Sequence, residues 1–269
     1  MAVAVHAQGK ETDKAGRYRA AVQSITGQET AILASIANDP NPALQRLTLA
    51  DTMMNLASHY LAIDSVARST LNQRNEEALN EARKALSKGV IYLEKVVSRF
   101  IDAPFSDYED MLMEINEISP AQRYLMVRKM GLAIDLLENA YGDNSKWRWS
   151  FVELEGRYAV IVKNTINLKE IFANTSLDSE HYEPSIRHLM LAKKLLAQAA
   201  DRYRHKYELS TNNIDDFSTG ISFLSALRRM CVVTDDRQEA ATAKKKLDAW
   251  NIKLASDTEK KGKPDNKKG

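Results

Sequence analysis

The chain has 269 residues, enough to bury a sizeable core as one large domain or two small ones. With 44% hydrophobic and 28% charged residues and a formal net charge of +2, its balance is too even to imply a nucleic-acid partner by charge alone. A single cysteine excludes an internal disulfide and any multi-cysteine metal site, and no apolar run approaches the roughly 18 residues of a membrane span.

Ten glycines and six prolines are few, and every long segment has helical rather than strand-like periodicity, which predicts an all-α fold. Residues 1–12 read as the end of a signal peptide or as a disordered terminus, because Val5-His6-Ala7 before Gln8 resembles a processing site. The first reading predicts export to the periplasm, and the second leaves a cytoplasmic protein. An all-helical domain is expected over 13–256, with a subdivision near 103–120.

The first helix covers about 13–37 and is stopped by Asn38-Asp39-Pro40-Asn41-Pro42. The second, about 42–72, carries one stripe of Leu49, Met53, Leu56, Tyr60 and Ile63 and another of Leu47, Met54 and Leu61. A helix apolar on two sides is packed on two sides. The third starts at Asn75-Glu76-Glu77 and shows a strict seam of Leu79, Ala82, Leu86, Gly89, Leu93, Val96 and Phe100. A mean spacing of about 3.5 residues marks helices crossing at shallow angles. A short helix is expected within 107–117, and Ser119-Pro120-Ala121-Gln122 then reads as a capping box with proline at the first helical position.

Asp143 or Asn144 is expected to cap the next helix, running to Asn174 with a seam of Trp147, Phe151, Leu154, Tyr158, Ile161, Thr165, Leu168 and Phe172. Pro184 opens a helix ending near Leu209, with Leu189, Ala192, Leu196, Ala199 and Tyr203 in its seam. The last two helices start at Asp215-Asp216 and Thr234-Asp235, the second carrying Ala240, Ala243, Leu247, Trp250 and Leu254. Residues 257–269, lysine-rich with no large apolar side chain, read as a disordered tail. The total is eight long helices in a stack of irregular helical hairpins, elongated and with heptad-like seams.

Chemistry is sparse along this plan. Asp51, Asn55 and His59 share one helical face, but only the histidine is a strong zinc ligand and no HExxH pattern occurs. Glu180-His181-Tyr182-Glu183 precedes Pro184, where the helix dipole favours acidic residues without any catalytic role. His205 is flanked by Arg204 and Lys206, whose charges repel a metal, and Cys231 falls on the seam Ile214, Phe217, Ile221, Leu224 as a small core residue. With no glycine-rich phosphate loop, GxSxG elbow or CxxC pair, the chain reads as a non-enzyme with no catalytic residue, no metal and no cofactor.

Two aromatic-basic stretches remain, Lys146-Trp147-Arg148-Trp149 and the run from Asp201 to Tyr207. Aromatic and arginine side chains together are typical of protein–protein hot spots. Trp147 begins a seam and Trp149 lies off it, beside Val152 and Gly156. The interface candidates are therefore Lys146, Arg148, Trp149, Arg204 and Tyr207.

Residues 85–100 and 131–141 resemble helices of tetratricopeptide repeats, although no 34-residue period links them. The processing-like Val5-His6-Ala7/Gln8 start, the long helices across nearly the whole chain and the Asn266-Lys267-Lys268 tail resemble the helical sheath proteins of spirochaete periplasmic flagella, the flagellar coiling proteins. That resemblance implies a periplasmic coat protein that packs around a flagellin core, contacts fellow sheath proteins and shapes filament curvature for motility. The competing expectation is a tetratricopeptide-like adaptor that binds a partner protein or peptide in one groove. Neither implies nucleic acid or a membrane span.

Overall fold

The computed structural model describes the backbone of residues 2–37, 39–142, 145–173, 176 and 178–262, and the side chains of 15–37, 39–142, 145–173, 176 and 178–260. Among the described residues the chain forms ten α-helices and no strand, eight of the helices long. It divides into two compact units, one of Met1–Ser98 with Asp110–Leu154, the other of Arg99–Glu109 with Glu155–Gly269. One of the boundaries, 109/110, falls within the expected subdivision near 103–120, and those at 98/99 and 154/155 lie outside it.

The first unit contains α1 (Ala2–Ile36), α2 (Ala43–Leu71), α3 (Glu76–Glu94), most of α4 (Glu109–Met113), α5 (Pro120–Tyr141) and the start of α6 (Arg148–Asn164). Its centre is α2, which packs against α1, α3 and α5. The first stripe explains that position, with Leu49, Met53, Leu56 and Ile63 buried; of the second only Met54 is buried, Leu47 and Leu61 being half-buried. Removing each such side chain from water contributes roughly 1.5–3 kcal/mol. At one end the buried Asp64 carboxylate accepts from Arg68 Nε at 2.6 Å and from the Asn75 amide at 2.7 Å. Arg68 also donates to the carbonyl of Ala140, so one ion pair joins the ends of α2 and α5 to the start of α3.

Local signals act as the sequence indicates. Asn75 caps α3 by accepting from the Ala78 amide at 3.0 Å. Ser119 and Gln122 form both halves of the capping box that opens α5 at Pro120. The α3 seam, however, ends at Val96. The backbone tightens there, with the Val96 amide donating to Leu93 O at 2.9 Å, and Phe100 lies beyond the helix, 66% exposed.

The second unit holds the 3₁₀ turn Phe105–Asp107, the rest of α6, α7 (Leu168–Ala173), α8 (Tyr182–Lys206), a π turn Tyr207–Thr211, α9 (Ile214–Val233) and α10 (Arg237–Gly262). Here α9 is central, packed against both α8 and α10. Rings from the three helices stack between them: Tyr203 on Phe223 at 5.6 Å, Tyr207 on Phe217 at 5.0 Å, and Phe217 against Trp250 at 5.6 Å. Offset aromatic pairs of this kind add about 0.5–1.5 kcal/mol each beyond their buried area. The ammonium of Lys206 lies 3.0 Å from Asp216, which also accepts from Thr211 Oγ1 at 2.7 Å, closing the π turn onto α9.

Three expected boundaries move. The first helix begins at Ala2 rather than near residue 13, so the segment read as a signal remnant or disordered terminus has a helical backbone; its side chains, His6 included, lie outside the described residues. The helix expected to reach Asn174 stops at Asn164, because the Asn167 side chain accepts from the amides of Lys169 at 3.0 Å and Glu170 at 3.3 Å and starts α7 afresh. The segment expected to be a tail from Asp257 is helical as far as Gly262: Asp257 accepts from Tyr207 Oη at 2.8 Å and pairs with Lys253 at 3.0 Å. The proposed caps Asp143 and Asn144, and residues 263–269, lie outside the described residues.

Helices meet most closely at Gly156. A Cβ there would stand 2.8 Å from Tyr203 Cε2 and 3.2 Å from Phe223 Cζ, the two rings that stack on each other. Neither ring is free to swing away. We expect Gly156→Ala to lower stability by about 1–3 kcal/mol through overpacking, although alanine alone would favour the helix by roughly 1 kcal/mol. Thermal unfolding followed by circular dichroism checks this, and an unchanged or raised midpoint would refute the close approach.

Candidate functional site

The most site-like feature lies wholly in the second unit. A cavity of about 280 Å³ is walled by the segment from Ala103 to Tyr108, the end of α6, α7 and the last turns of α9. Its lining is chiefly apolar, with Phe105, Leu168, Phe172, Met230 and Val233, and three cations, Lys163, Lys169 and Arg229.

Each wall is held by identifiable bonds. Pro104 is extended and starts the 3₁₀ turn, after which the Phe105 and Tyr108 rings meet edge to face at 5.5 Å. Two side chains at the end of α6 fasten this segment: Lys163 Nζ donates to Ala103 O at 3.2 Å, and Asn164 Nδ2 donates to Phe100 O at 3.2 Å. From α9, Arg229 donates to Asp102 through Nε at 2.8 Å and Nη2 at 3.2 Å, a forked pair that fixes the same segment from the other side. Lys169 of α7 pairs with Glu109. His188 of α8 contacts Val162 O through Nε2 at 3.0 Å and so positions the helix that carries Lys163.

Lys163 is the unusual member. It is 4% exposed, its ammonium lies 5.0 Å from the centre of the Tyr108 ring, and among the described residues no carboxylate stands within ion-pairing distance. Burial disfavours its charge and pulls its pKa down to about 8, with Asp102 opposing and Arg229 adding to the fall. Burial likewise pushes the Tyr108 phenol up, so it stays neutral. A buried amine with a depressed pKa lining an apolar cavity is the kind of group that functional sites contain.

The interface candidates fall into two places. Lys146, Trp147, Arg148 and Trp149 belong to the first unit. The Arg148 guanidinium lies 4.8 Å over the Trp149 ring, and Trp149 is half-buried. Trp147 is not the core residue its seam position predicts. It precedes the first helical residue, its carbonyl accepts the first α6 bond from Phe151, and its half-buried ring is covered by Arg83 at 4.1 Å and Lys146 at 5.3 Å. The buried seam begins at Phe151, against Tyr141 at 5.6 Å.

Arg204 and Tyr207 belong to the second unit. Arg204 is half-buried, donating to Glu208 at 3.0 Å and lying 5.4 Å over the Trp250 ring. Tyr207 is 5% exposed and stacked on Phe217, so it is a core residue and cannot contact a partner as proposed. Four residues beyond the buried seam residue Tyr203, it continues the inner face of α8.

The other chemistry-bearing groups are tied up internally. His59 Nδ1 contacts Asn55 O at 2.8 Å, and Asp51 is engaged by Asn55 and Lys129. The ligand atoms of Cys231, Asp236 and Glu239 lie within 4.8 Å of one another. Lys193 already supplies the positive charge there, 2.7 Å from Asp236 and 3.6 Å from Glu239. Burial holds the Cys231 thiol up at about 12, so it is no ready thiolate ligand.

Seam spacing singles out Ile161 and Thr165 and passes over Lys163 between them. The sequence signal is the unbroken apolar run Tyr158-Ala159-Val160-Ile161-Val162 leading directly into Lys163, and in the structure Tyr158 to Ile166 is buried at every position, so the lysine has no polar face to occupy.

A family description, TP0443 family, matches residues 8–258. It is named after a Treponema pallidum protein, which marks a spirochaete family. No curated protein matches the chain, and no solved structure matches it. No helix among the described residues is long and apolar enough to cross a membrane.

The depressed pKa fixes a pH dependence. Between about pH 8 and 10.5 the unfolded chain holds a proton on this lysine that the folded chain has released, so folding stability rises with pH through that window. Lys163→Met removes the penalty, and we expect it to be more stable than the native chain at pH 7 by at most roughly 3 kcal/mol. The gap should narrow on going to pH 10, as read from denaturant midpoints. A gap independent of pH would contradict this assignment.

Proposed function

The chain belongs to the TP0443 family, and from that premise we propose that it is a non-catalytic structural protein that assembles with other proteins, specifically in the sheath of a periplasmic flagellar filament. The observation that carries assembly is the outer face of α5. Leu125, Leu132 and Leu136 are 66%, 60% and 48% exposed and lie on one stripe, at seven- and four-residue spacing. That is the spacing of a helix–helix seam, and large apolar side chains aligned in solvent mark an interaction surface. Trp149 with Arg148, in the same unit, supplies the second candidate contact.

The sheath form rests on the resemblance of the long-helix plan and the Val5-His6-Ala7 start to spirochaete filament coat proteins. The family's spirochaete name agrees with it. In this reading the protein is exported, lies in the periplasm against flagellin or fellow sheath subunits, and contributes to filament curvature and motility. The α5 leucines then form part of a lattice contact between subunits. The second reading, a tetratricopeptide-like adaptor, is favoured by the cavity beside Lys163, since an adaptor concentrates its function in one recess.

Cosedimentation with purified flagellar filaments separates the two. The native protein is expected in the filament pellet, and the triple variant Leu125→Gln, Leu132→Gln, Leu136→Gln is expected in the supernatant. Each exposed substitution should change stability by no more than about 0.5 kcal/mol. A protein found in the cytosol and never with filaments would overturn the sheath reading.

A further inference from the structure

The cavity of the second unit has a chemistry that structural packing does not require. Its three cations are not equivalent. Arg229 is held in a forked pair by Asp102, with the exposed Asp107 also nearby in charge, and Lys169 is paired with Glu109. Lys163 alone faces the apolar space with only the Ala103 carbonyl as acceptor. An ammonium has three donors, and one carbonyl satisfies one of them. The remainder of the lining offers rings and aliphatic side chains.

We propose that this cavity binds a medium-chain aliphatic monocarboxylate, with its carboxylate on Lys163 Nζ and its chain against Phe105, Leu168, Met230 and Val233. A single unpaired cation calls for a single negative charge. A phosphate monoester, with nearly two, would find Arg229 and Lys169 already neutralised. The apolar walls exclude small hydrophilic anions, since an acetate-sized ligand would leave most of the space unfilled.

Size sets the chain length. An engineered cavity of about 150 Å³ accommodates benzene, so about 280 Å³ takes roughly ten non-hydrogen atoms, the size of octanoate. The mouth is placed for such a ligand: Phe172 and Val233 line the cavity while remaining 51% and 43% exposed. A carboxylate entering here meets the ammonium at the end of α6, where burial has removed the competing water. Charge-assisted bonds in such surroundings are the strong ones. The depressed pKa of Lys163 agrees with an anion-free site and would rise towards its ordinary value on binding. This proposal concerns the second unit alone and does not depend on the filament reading.

The test is isothermal titration calorimetry on the full chain with octanoate, octanol and acetate as probes. Octanoate is expected to bind with a one-to-one stoichiometry, with octanol and acetate each at least roughly tenfold weaker, the loss of one charge-assisted bond or of the apolar contact. Lys163→Met should weaken octanoate at least roughly tenfold while leaving octanol unchanged. Val233→Trp, a change at the exposed mouth, should abolish binding of octanoate without touching Lys163. Absence of octanoate binding at roughly millimolar concentration, equal affinity for octanoate and octanol, or undiminished binding in a folded Val233→Trp would overturn the proposal. If Lys163→Met does not fold, the octanol comparison and Val233→Trp decide it.

Discussion

Each unit has a crossing at which a glycine lets helices approach closely, and in the second unit the approach is closer than any side chain allows. At Gly156 the backbone of α6 lies against the stacked Tyr203 and Phe223 rings, at distances where no Cβ fits. In the first unit, Gly89 of α3 lies against Met53 of α2 and Met130 of α5, where a Cβ would stand 3.1 Å from the Met130 methyl carbon. Small residues at these crossings let large ones fill the space between, which is how an interior reaches the density of an organic crystal. The same constraint explains why α2 and α9 are central: each has apolar residues on more than one side and must be covered on each.

Much of this fold was legible in the chain because its signals are local. Capping at Asn75 and Ser119, the proline at residue 120 and the seams of the third, eighth and tenth helices all act within a few residues of themselves. The readings that moved are those decided by distant partners. Asn167 starts a new helix where seam spacing alone continues the old one. Asp257 is held by Tyr207, fifty residues away in the chain, and helix persists where composition suggested a tail. Trp147 fell short of the core for a different reason: it precedes α6, so helical periodicity did not apply to it.

The candidate site was less legible than the fold. Aromatic-basic stretches are conspicuous in sequence, yet Tyr207 turned inward and Arg204 covers Trp250. Lys163 was inconspicuous and became the most perturbed cation of the second unit, because its setting depends on Ala103 and Tyr108, some sixty residues earlier. Burying an ammonium with a lone carbonyl costs stability. A chain selected for stability alone would have leucine or methionine there, which is why the residue draws attention to ligand chemistry. The α5 leucines make the opposite case, apolar groups kept in water where polar ones would do. In the proposed reading the two features are separate contacts with other molecules, one along a helix face and one within a recess.

The central claim is that the α5 stripe is covered by another protein when the chain is at work. A photo-crosslinking amino acid placed at position 132 and activated in the native cell tests this directly. The account predicts an efficient covalent adduct to a filament protein or to a second copy of this chain, and little adduct from position 84, an exposed lysine on α3. Equal, low yields from the two positions would contradict it, leaving Leu125, Leu132 and Leu136 as surface residues without a partner.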